Sequence, residues 1–306
     1  MSGQVPEHVG VLGGGRMGSG VAHAFLLAGA TVTIVDRDDA AAGAARDRVV
    51  RAVEQSVARG TTTQTAATLT ARLHAGTDVV AFAPARLVVE AVPEDVGLKT
   101  AALRRVEDVL APGAVLATNT SSISIDLLAD HVRRPETFVG MHFFNPVPAS
   151  ALVEVVRGAA TSDETTDRAR GWVEAIRKTA VVVNDAPGFA SSRLGIAIGL
   201  EAVRMLAEGV AGAADIDAAM TLGYKHPVGP LQLTDLVGLD VRLGIAEYLA
   251  RELGPRFEPP ALLRALVAAG HLGRKSGRGF YVWPDGGAPT PADLTGLASL
   301  TGQASR

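Results

Sequence analysis

Apolar residues fall along this chain in two rhythms. In the first part, short continuous apolar runs bounded by turn residues alternate with longer stretches whose apolar positions recur every three or four residues. The short runs read as strands buried on both faces and the longer stretches as amphipathic helices. The pattern predicts strands from about residue 8, then at 31–35, 87–92, 114–118, 138–142, 152–156 and 180–183. Helices are predicted at 19–29, 40–59, 99–110 and 162–178, with a Thr-rich turn at 61–63 followed by a further helical segment. This alternation implies an α/β doubly wound sheet. At Asn184-Asp185-Ala186-Pro187-Gly188 the rhythm changes, and helical spacing without convincing strands covers 189–208, 213–222, 231–253 and 260–269. The expected organisation is therefore a domain at 1–185, a smaller all-α domain at 186–285 and, in the Thr-, Pro-, Gly- and Ala-rich residues 286–306, a flexible tail.

The first strand runs into Gly13-Gly14-Gly15-Arg16-Met17-Gly18 and then a helix, and the strand after that helix ends in Asp36. Strand, G-x-G-x-x-G, helix, strand and acidic residue in that order form a dinucleotide-binding fingerprint, which makes the sheet Rossmann-type. Gly13 permits the tight turn, Gly15 lets backbone approach a pyrophosphate, and Gly18 lets helix and sheet pack closely; Arg16 and Met17 complete the loop. A carboxylate at Asp36 accepts hydrogen bonds from ribose hydroxyls and repels a ribose phosphate, which favours NAD over NADP. Arg37 beside it could instead meet a phosphate or stack on adenine.

A second candidate site lies in the apolar runs around residues 138–156. His142 stands in one run and Glu154 in the next. A buried carboxylate needs a partner, and an imidazole oriented by one can take a proton from an alcohol near neutrality. The other reading, a satisfied core histidine and an unrelated edge glutamate, is equally open on this segment alone. Asn119-Thr120-Ser121-Ser122 follows the strand at 114–118, at the carboxyl edge where open α/β sheets bind ligands. Ser121 is placed to hydrogen-bond a substrate oxygen, while Ser122 or Ser124 suits the cap of a following helix.

Composition excludes more than it adds. With 306 residues, 47% of them hydrophobic, the chain can build two sizeable cores. A net charge of −3 gives no electrostatic case for nucleic acid. The absence of cysteine rules out disulfides and thiolate chemistry and suits a cytoplasmic location. No histidine clustering suggests a metal site, no apolar run of about 18 residues suggests a membrane span, and the first strand starts too early for a signal peptide. A helical domain rich in Ala and Leu commonly pairs with a copy of itself, so a homodimer is expected.

From about Val9 to Trp283, several motifs in one order resemble the NAD-dependent L-3-hydroxyacyl-CoA dehydrogenase family, in particular its stand-alone 3-hydroxybutyryl-CoA members. They are Gly-Gly-Gly-Arg-Met-Gly-Ser-Gly, Val-Val-Glu-Ala-Val-Pro-Glu, Asn-Thr-Ser-Ser, His-Phe-Phe-Asn-Pro-Val-Pro, Leu-Val-Glu-Val-Val, Pro-Gly-Phe, His-Pro-Val-Gly-Pro and Gly-Arg-Lys-Ser-Gly-Arg-Gly-Phe-Tyr. The resemblance implies that His142 removes the hydroxyl proton, that Glu154 orients it, and that Ser121 binds the substrate oxygen. It places Glu94, Lys99, Asn119 and Asn145 around the nicotinamide side of the cofactor and makes Arg59 a candidate phosphate contact for coenzyme A, with a solvated helix-end arginine as the plain alternative. Where the family reads Ile-Val-Asn-Arg-Leu after Pro-Gly-Phe, this chain reads Ala190-Ser191-Ser192-Arg193-Leu194, with Ser192 at the position of an active-site Asn. A hydroxyl is shorter than an amide and cannot span the same gap, which bears on the substrate. The implied activity is reversible oxidation of an acyl-CoA substrate. Relatives acting on a non-thioester 3-hydroxy acid or a carrier-protein thioester, and a non-catalytic NAD-binding protein, are the alternatives.

Overall fold

The computed structural model describes residues 4–294, which divide into two units between Phe189 and Ala190. In the first unit eight strands form one sheet in the order β3-β2-β1-β4-β5-β6-β7-β8. The strands are β1 (His8–Leu12), β2 (Thr31–Val35), β3 (Leu73–Gly76), β4 (Leu87–Glu90), β5 (Val115–Thr118), β6 (Phe138–Phe143), β7 (Leu152–Arg157) and β8 (Thr179–Asn184). Between them run α1 (Arg16–Leu27), α2 (Asp39–Ala58), α3 (Ala66–Thr70), α4 (Val96–Glu107), α5 (Ile125–Ala129) and α6 (Asp163–Ala175). All neighbouring strands pair in parallel except β6 with β7, so the sheet is mixed.

The unbroken apolar runs follow from burial on both faces. Leu87 and Val89 of β4 join Val115 and Ala117 of β5 in a core with α1, α2 and α6. Val88 and Leu116, pointing the other way, pack with residues of α4 and α5. With both faces covered, β4, β5 and β6 are buried throughout and show no polar alternation. The helix starts obey local chemistry: Asp38, Asp95, Ser124 and Ser162 each accept a backbone N–H in the first turn of the helix that follows. Ser124 is thus the capping serine after β5.

The structure departs from the pattern in places. The helical segment expected after the Thr-rich turn is only α3, capped by Thr65, and the chain then forms edge strand β3 beside β2. Its sequence, Leu-His-Ala-Gly, has one buried residue and no alternation to reveal it.

In the second unit α7 (Ser191–Ala207), α8 (Ala213–Gly223), α9 (Pro230–Val237), α10 (Leu239–Leu253) and α11 (Ala261–Ala268) enclose a core that includes Leu200, Leu231, Leu249 and Phe280. The single helix expected at 231–253 is broken at Gly238, whose φ of 107° is closed to other residues without strain. Short strands also occur: β9 (Tyr281–Val282) pairs antiparallel with β10 (Thr290–Pro291), so the start of the expected tail is tied down, while residues 295–306 lie outside the described residues. Among the described residues no helix is long and apolar enough to cross a membrane.

Candidate active site and cofactor cradle

The strand order reverses between β1 and β4, and the carboxyl ends of β1, β4, β5 and β6 form one edge of the sheet. This is the switch point at which doubly wound sheets bind dinucleotides. Three glycines shape the edge. Gly13 adopts φ of 90°, and a Cβ on it would stand 2.9 Å from the backbone of Ala91. A Cβ on Gly18 would stand 1.8 Å from Gly13 O, so α1 could not approach with any side chain there. A Cβ on Gly15, by contrast, would meet nothing within 4 Å. Gly15 therefore leaves the backbone at the amino terminus of α1, between Gly14 and Arg16, open to close approach, a geometry that fits a pyrophosphate.

At the far end of β2, Asp36 Oδ2 accepts from Gly14 N at 2.8 Å and Oδ1 accepts from Arg37 N at 2.8 Å. Its carboxylate is held beside the loop with lone pairs left for ribose hydroxyls. Arg37 turns outward and donates Nε to Asp38 at 3.1 Å, so it is committed away from Asp36. Arg48, which the pattern did not single out, donates Nη2 to Gly14 O at 2.8 Å and braces the loop from α2.

The contact between His142 and Glu154 is set by strand register. β6 and β7 run antiparallel with His142 directly opposite Glu154, so the two side chains emerge on one face. Nδ1 of His142 lies 2.8 Å from Glu154 Oε2, and the side chains are 7% and 1% exposed. An ionised carboxylate only accepts, so Nδ1 carries the proton and Nε2 presents its lone pair. Phe144 and Phe189 flank the imidazole with ring centroids 4.4 and 5.8 Å away. The reading of two unrelated residues is thereby set aside.

Glu94 organises the loop after β5. Its Oε1 accepts from Thr120 Oγ1 at 2.6 Å, Ser121 N at 2.8 Å, Ser122 N at 3.0 Å, Ser122 Oγ at 3.1 Å and Ser121 Oγ at 3.2 Å. Burial opposes its ionisation, but the charge of Lys99 and these hydrogen bonds outweigh it and hold the carboxyl below its usual value. Lys99 is 1% exposed, and its ammonium donates to both oxygens of Glu90 and to Val92 O, with Glu94 Oε2 at 3.4 Å. Within the protein, Lys99 fixes the end of β4 and Glu94. Glu90 was missed in the sequence. It is fully buried at the end of β4 and also accepts from Thr118 Oγ1 at 2.6 Å and Val92 N at 2.6 Å. A lone acid closing the apolar run Leu-Val-Val-Glu was its signal.

Asn119 Oδ1 accepts from Phe143 N at 2.9 Å and so joins the ends of β5 and β6. Asn145 lies exposed in the loop after β6, and Arg59 is exposed at the carboxyl end of α2. Ser192 belongs to the other unit, in the first turn of α7. No cluster of three or more metal-ligating side chains occurs among the described residues.

Comparison with known proteins agrees with this geometry. Residues 8–186 match the family model "3-hydroxyacyl-CoA dehydrogenase, NAD binding domain", and residues 188–283 match "3-hydroxyacyl-CoA dehydrogenase, C-terminal domain". The chain is 41% identical over 273 residues to a probable 3-hydroxybutyryl-CoA dehydrogenase of Deinococcus radiodurans, covering 89% of this chain and 98% of the relative. It is 40% identical over 281 residues to a 3-hydroxybutyryl-CoA dehydrogenase of Mycobacterium tuberculosis, covering 90% and 98%. A crystal structure of (S)-3-hydroxybutyryl-CoA dehydrogenase from Ralstonia eutropha superposes with a TM-score of 0.86 at 38% identity, covering 91% of this chain and 99% of that one. With a loop and carboxylate that fit NAD, and with both family models matched in order, the chain belongs to the 3-hydroxyacyl-CoA dehydrogenase family and is an NAD-dependent oxidoreductase acting on a CH–OH group.

Proposed function

We propose that this enzyme oxidises a short-chain L-3-hydroxyacyl-CoA, of the 3-hydroxybutyryl type, to the 3-oxoacyl-CoA, with the His142–Glu154 pair as general base. The observation that carries the reading is the buried 2.8 Å contact between Nδ1 and Glu154, which leaves Nε2 to accept a proton. Gly13, Gly15 and Gly18 with Arg16 and Met17 would hold the pyrophosphate of NAD, and Asp36 its adenine ribose. When bound, NAD supplies the hydride acceptor. His142 Nε2 takes the hydroxyl proton as the C3 oxygen becomes a carbonyl, and Glu154 stabilises the imidazolium that results. Ser121 contributes an O–H to that oxygen. Its bond to Glu94, at 3.2 Å the longest of the five, is the one a hydroxyl can most readily exchange by rotating. In the reverse direction the imidazolium returns the proton.

The names of the relatives support the 3-hydroxybutyryl thioester, since three of those quoted above carry it. We place Ser192 at the substrate in the role that an amide fills elsewhere in the family, and Arg59 near the coenzyme A phosphates. We further propose a cytoplasmic homodimer formed through the helical unit. Leu194 and Ile198, one turn apart on α7, are 63% and 38% exposed, which gives that helix an apolar stripe for a second copy. The test is a panel of 3-hydroxyacyl-CoA chain lengths, the matching free hydroxy acids and carrier-protein thioesters, with NAD and NADP compared. Highest kcat/KM with the short CoA thioester and NAD is the expected result. Turnover of the free acids in preference to every thioester would reject the substrate assignment.

A further inference from the structure

Arg48, on α2, is a half-buried cation beside the glycine loop, and among the described residues no carboxylate pairs with it. Its guanidinium is spent on neutral groups instead: Nη2 donates to Gly14 O at 2.8 Å and Nε donates to Ser19 Oγ at 3.3 Å. Ser19, 5% exposed on α1, donates its own hydroxyl to Gly14 O at 2.7 Å. Gly14 O therefore takes two side-chain donors, one from each helix beside the loop.

This fixes more than a carbonyl. Gly14 C=O and Gly15 N–H belong to one planar trans peptide and point in opposite senses. With the oxygen drawn toward Ser19 and Arg48, the N–H is turned to the other side, where it donates to no acceptor among the described residues. A cation that donates to the C=O of a peptide also draws charge along it and makes its N–H a stronger donor. Gly14 itself is closed to a ligand: a Cβ there would stand 2.2 Å from Ala45 Cβ, and its N–H already donates to Asp36 Oδ2 at 2.8 Å. Gly14 is thus gripped by a carboxylate at its nitrogen and a cation at its oxygen. What the loop leaves to an incoming anion is the Gly15 N–H and the open backbone around it.

We propose that Arg48 is a cofactor-positioning residue: through Gly14 O it orients and polarises the Gly15 N–H for the pyrophosphate of NAD, and its charge offsets part of the charge of the two phosphates. Ser19 shares the first task, since a neutral hydroxyl can orient the peptide, but not the second. The inference rests on the placement of the pyrophosphate at Gly13, Gly15 and Gly18 proposed above and is independent of the choice of substrate.

The measurement is the Kd of ADP-ribose, which carries the pyrophosphate and no nicotinamide, by calorimetry at several salt concentrations in wild type, Arg48→Met, Arg48→Gln, Arg48→Lys and Gly15→Val. Met keeps the length, Gln keeps a neutral donor and Lys keeps the charge, while a Cβ at Gly15 meets nothing in the protein and obstructs only the approach. Thermal unfolding without ligand verifies the fold of each variant. Arg48→Met and Arg48→Gln should each weaken ADP-ribose by roughly tenfold, the low end for a hydrogen bond to a charged group, and flatten its dependence on salt, while Arg48→Lys stays within about threefold of wild type. Gly15→Val should weaken it at least as much as Arg48→Met. Wild-type affinity in Arg48→Gln, a loss in Arg48→Lys equal to that in Arg48→Met, or a salt dependence that Arg48→Met leaves unchanged would each overturn the proposal, since a brace whose charge is idle gives those results. A loss in Gly15→Val with none in Arg48→Met would reject the part given to Arg48 alone. Wild-type affinity in Gly15→Val would reject the placement of the pyrophosphate itself, and the part given to Arg48 with it.

Discussion

Replacing Glu154 by Gln isolates what the carboxylate's charge contributes to the proposed base. The change keeps size and an acceptor oxygen opposite His142, so the strand register and the Nδ1 contact can persist. What disappears is the negative charge 2.8 Å from an imidazole that must become an imidazolium, in a pair 7% and 1% exposed. A hydrogen bond to a charged group has a net worth of about 1.5–3 kcal/mol. At about 1.4 kcal/mol per decade of rate, kcat should fall about 10- to 150-fold. Burial of the pair makes solvent screening small, so the fall should be nearly independent of salt. KM and the affinity for NAD should change little, because the charge matters only once the proton has moved. The assay is steady-state NADH formation from 3-hydroxybutyryl-CoA at several ionic strengths, with thermal unfolding as the check on fold. Glu154→Asp, which keeps the charge on a shorter stem, should recover part of the loss. A Gln variant within twofold of wild type in kcat, at unchanged Tm, would refute the coupling of Glu154 to the proton transfer.

Three further outcomes follow from other parts of the site. Asp36→Ala should weaken NAD by about 10- to 150-fold, the worth of hydrogen bonds to a carboxylate, and narrow the gap to NADP, as titration of both cofactors would show. Glu94 has a lowered folded pKa, so the stability it gives the Thr120–Ser122 turn is present above its ordinary value of 4.5 and is lost as pH falls from there through the folded value. Hydrogen exchange at Ser121 and Ser122 N–H should therefore rise reversibly in that acid window in wild type; exchange unaltered across the window would contradict the role given to Glu94. Ser192→Ala should lower kcat/KM by about 2- to 12-fold, equivalent to about 0.5–1.5 kcal/mol for one neutral hydrogen bond, and an unaltered value would remove Ser192 from the substrate contacts.

The parts of this protein that local rules dictate could be read from the chain. The glycine loop and Asp36 were legible because each glycine answers a steric demand made within a few residues, and the parallel core strands because burial on both faces leaves continuous apolar runs. β3 escaped because a short edge strand buries one residue in four and so carries no pattern. The pairing of His142 with Glu154 was undecidable for a different reason. Two strands twelve residues apart can lie side by side or far apart, and only the antiparallel register of β6 with β7, a long-range choice, sets the two side chains face to face. The same holds for Lys99: its position on α4 was visible, but its neutralisation by Glu90 depends on where β4 ends.

The most direct test of the proposed chemistry is His142→Gln, assayed for NADH formation from 3-hydroxybutyryl-CoA alongside an independent titration of NAD binding. Loss of a positioned base should cut kcat by about 100- to 10,000-fold while NAD affinity and Tm stay close to wild type. Turnover at the wild-type rate in a folded, NAD-binding His142→Gln protein would contradict the account.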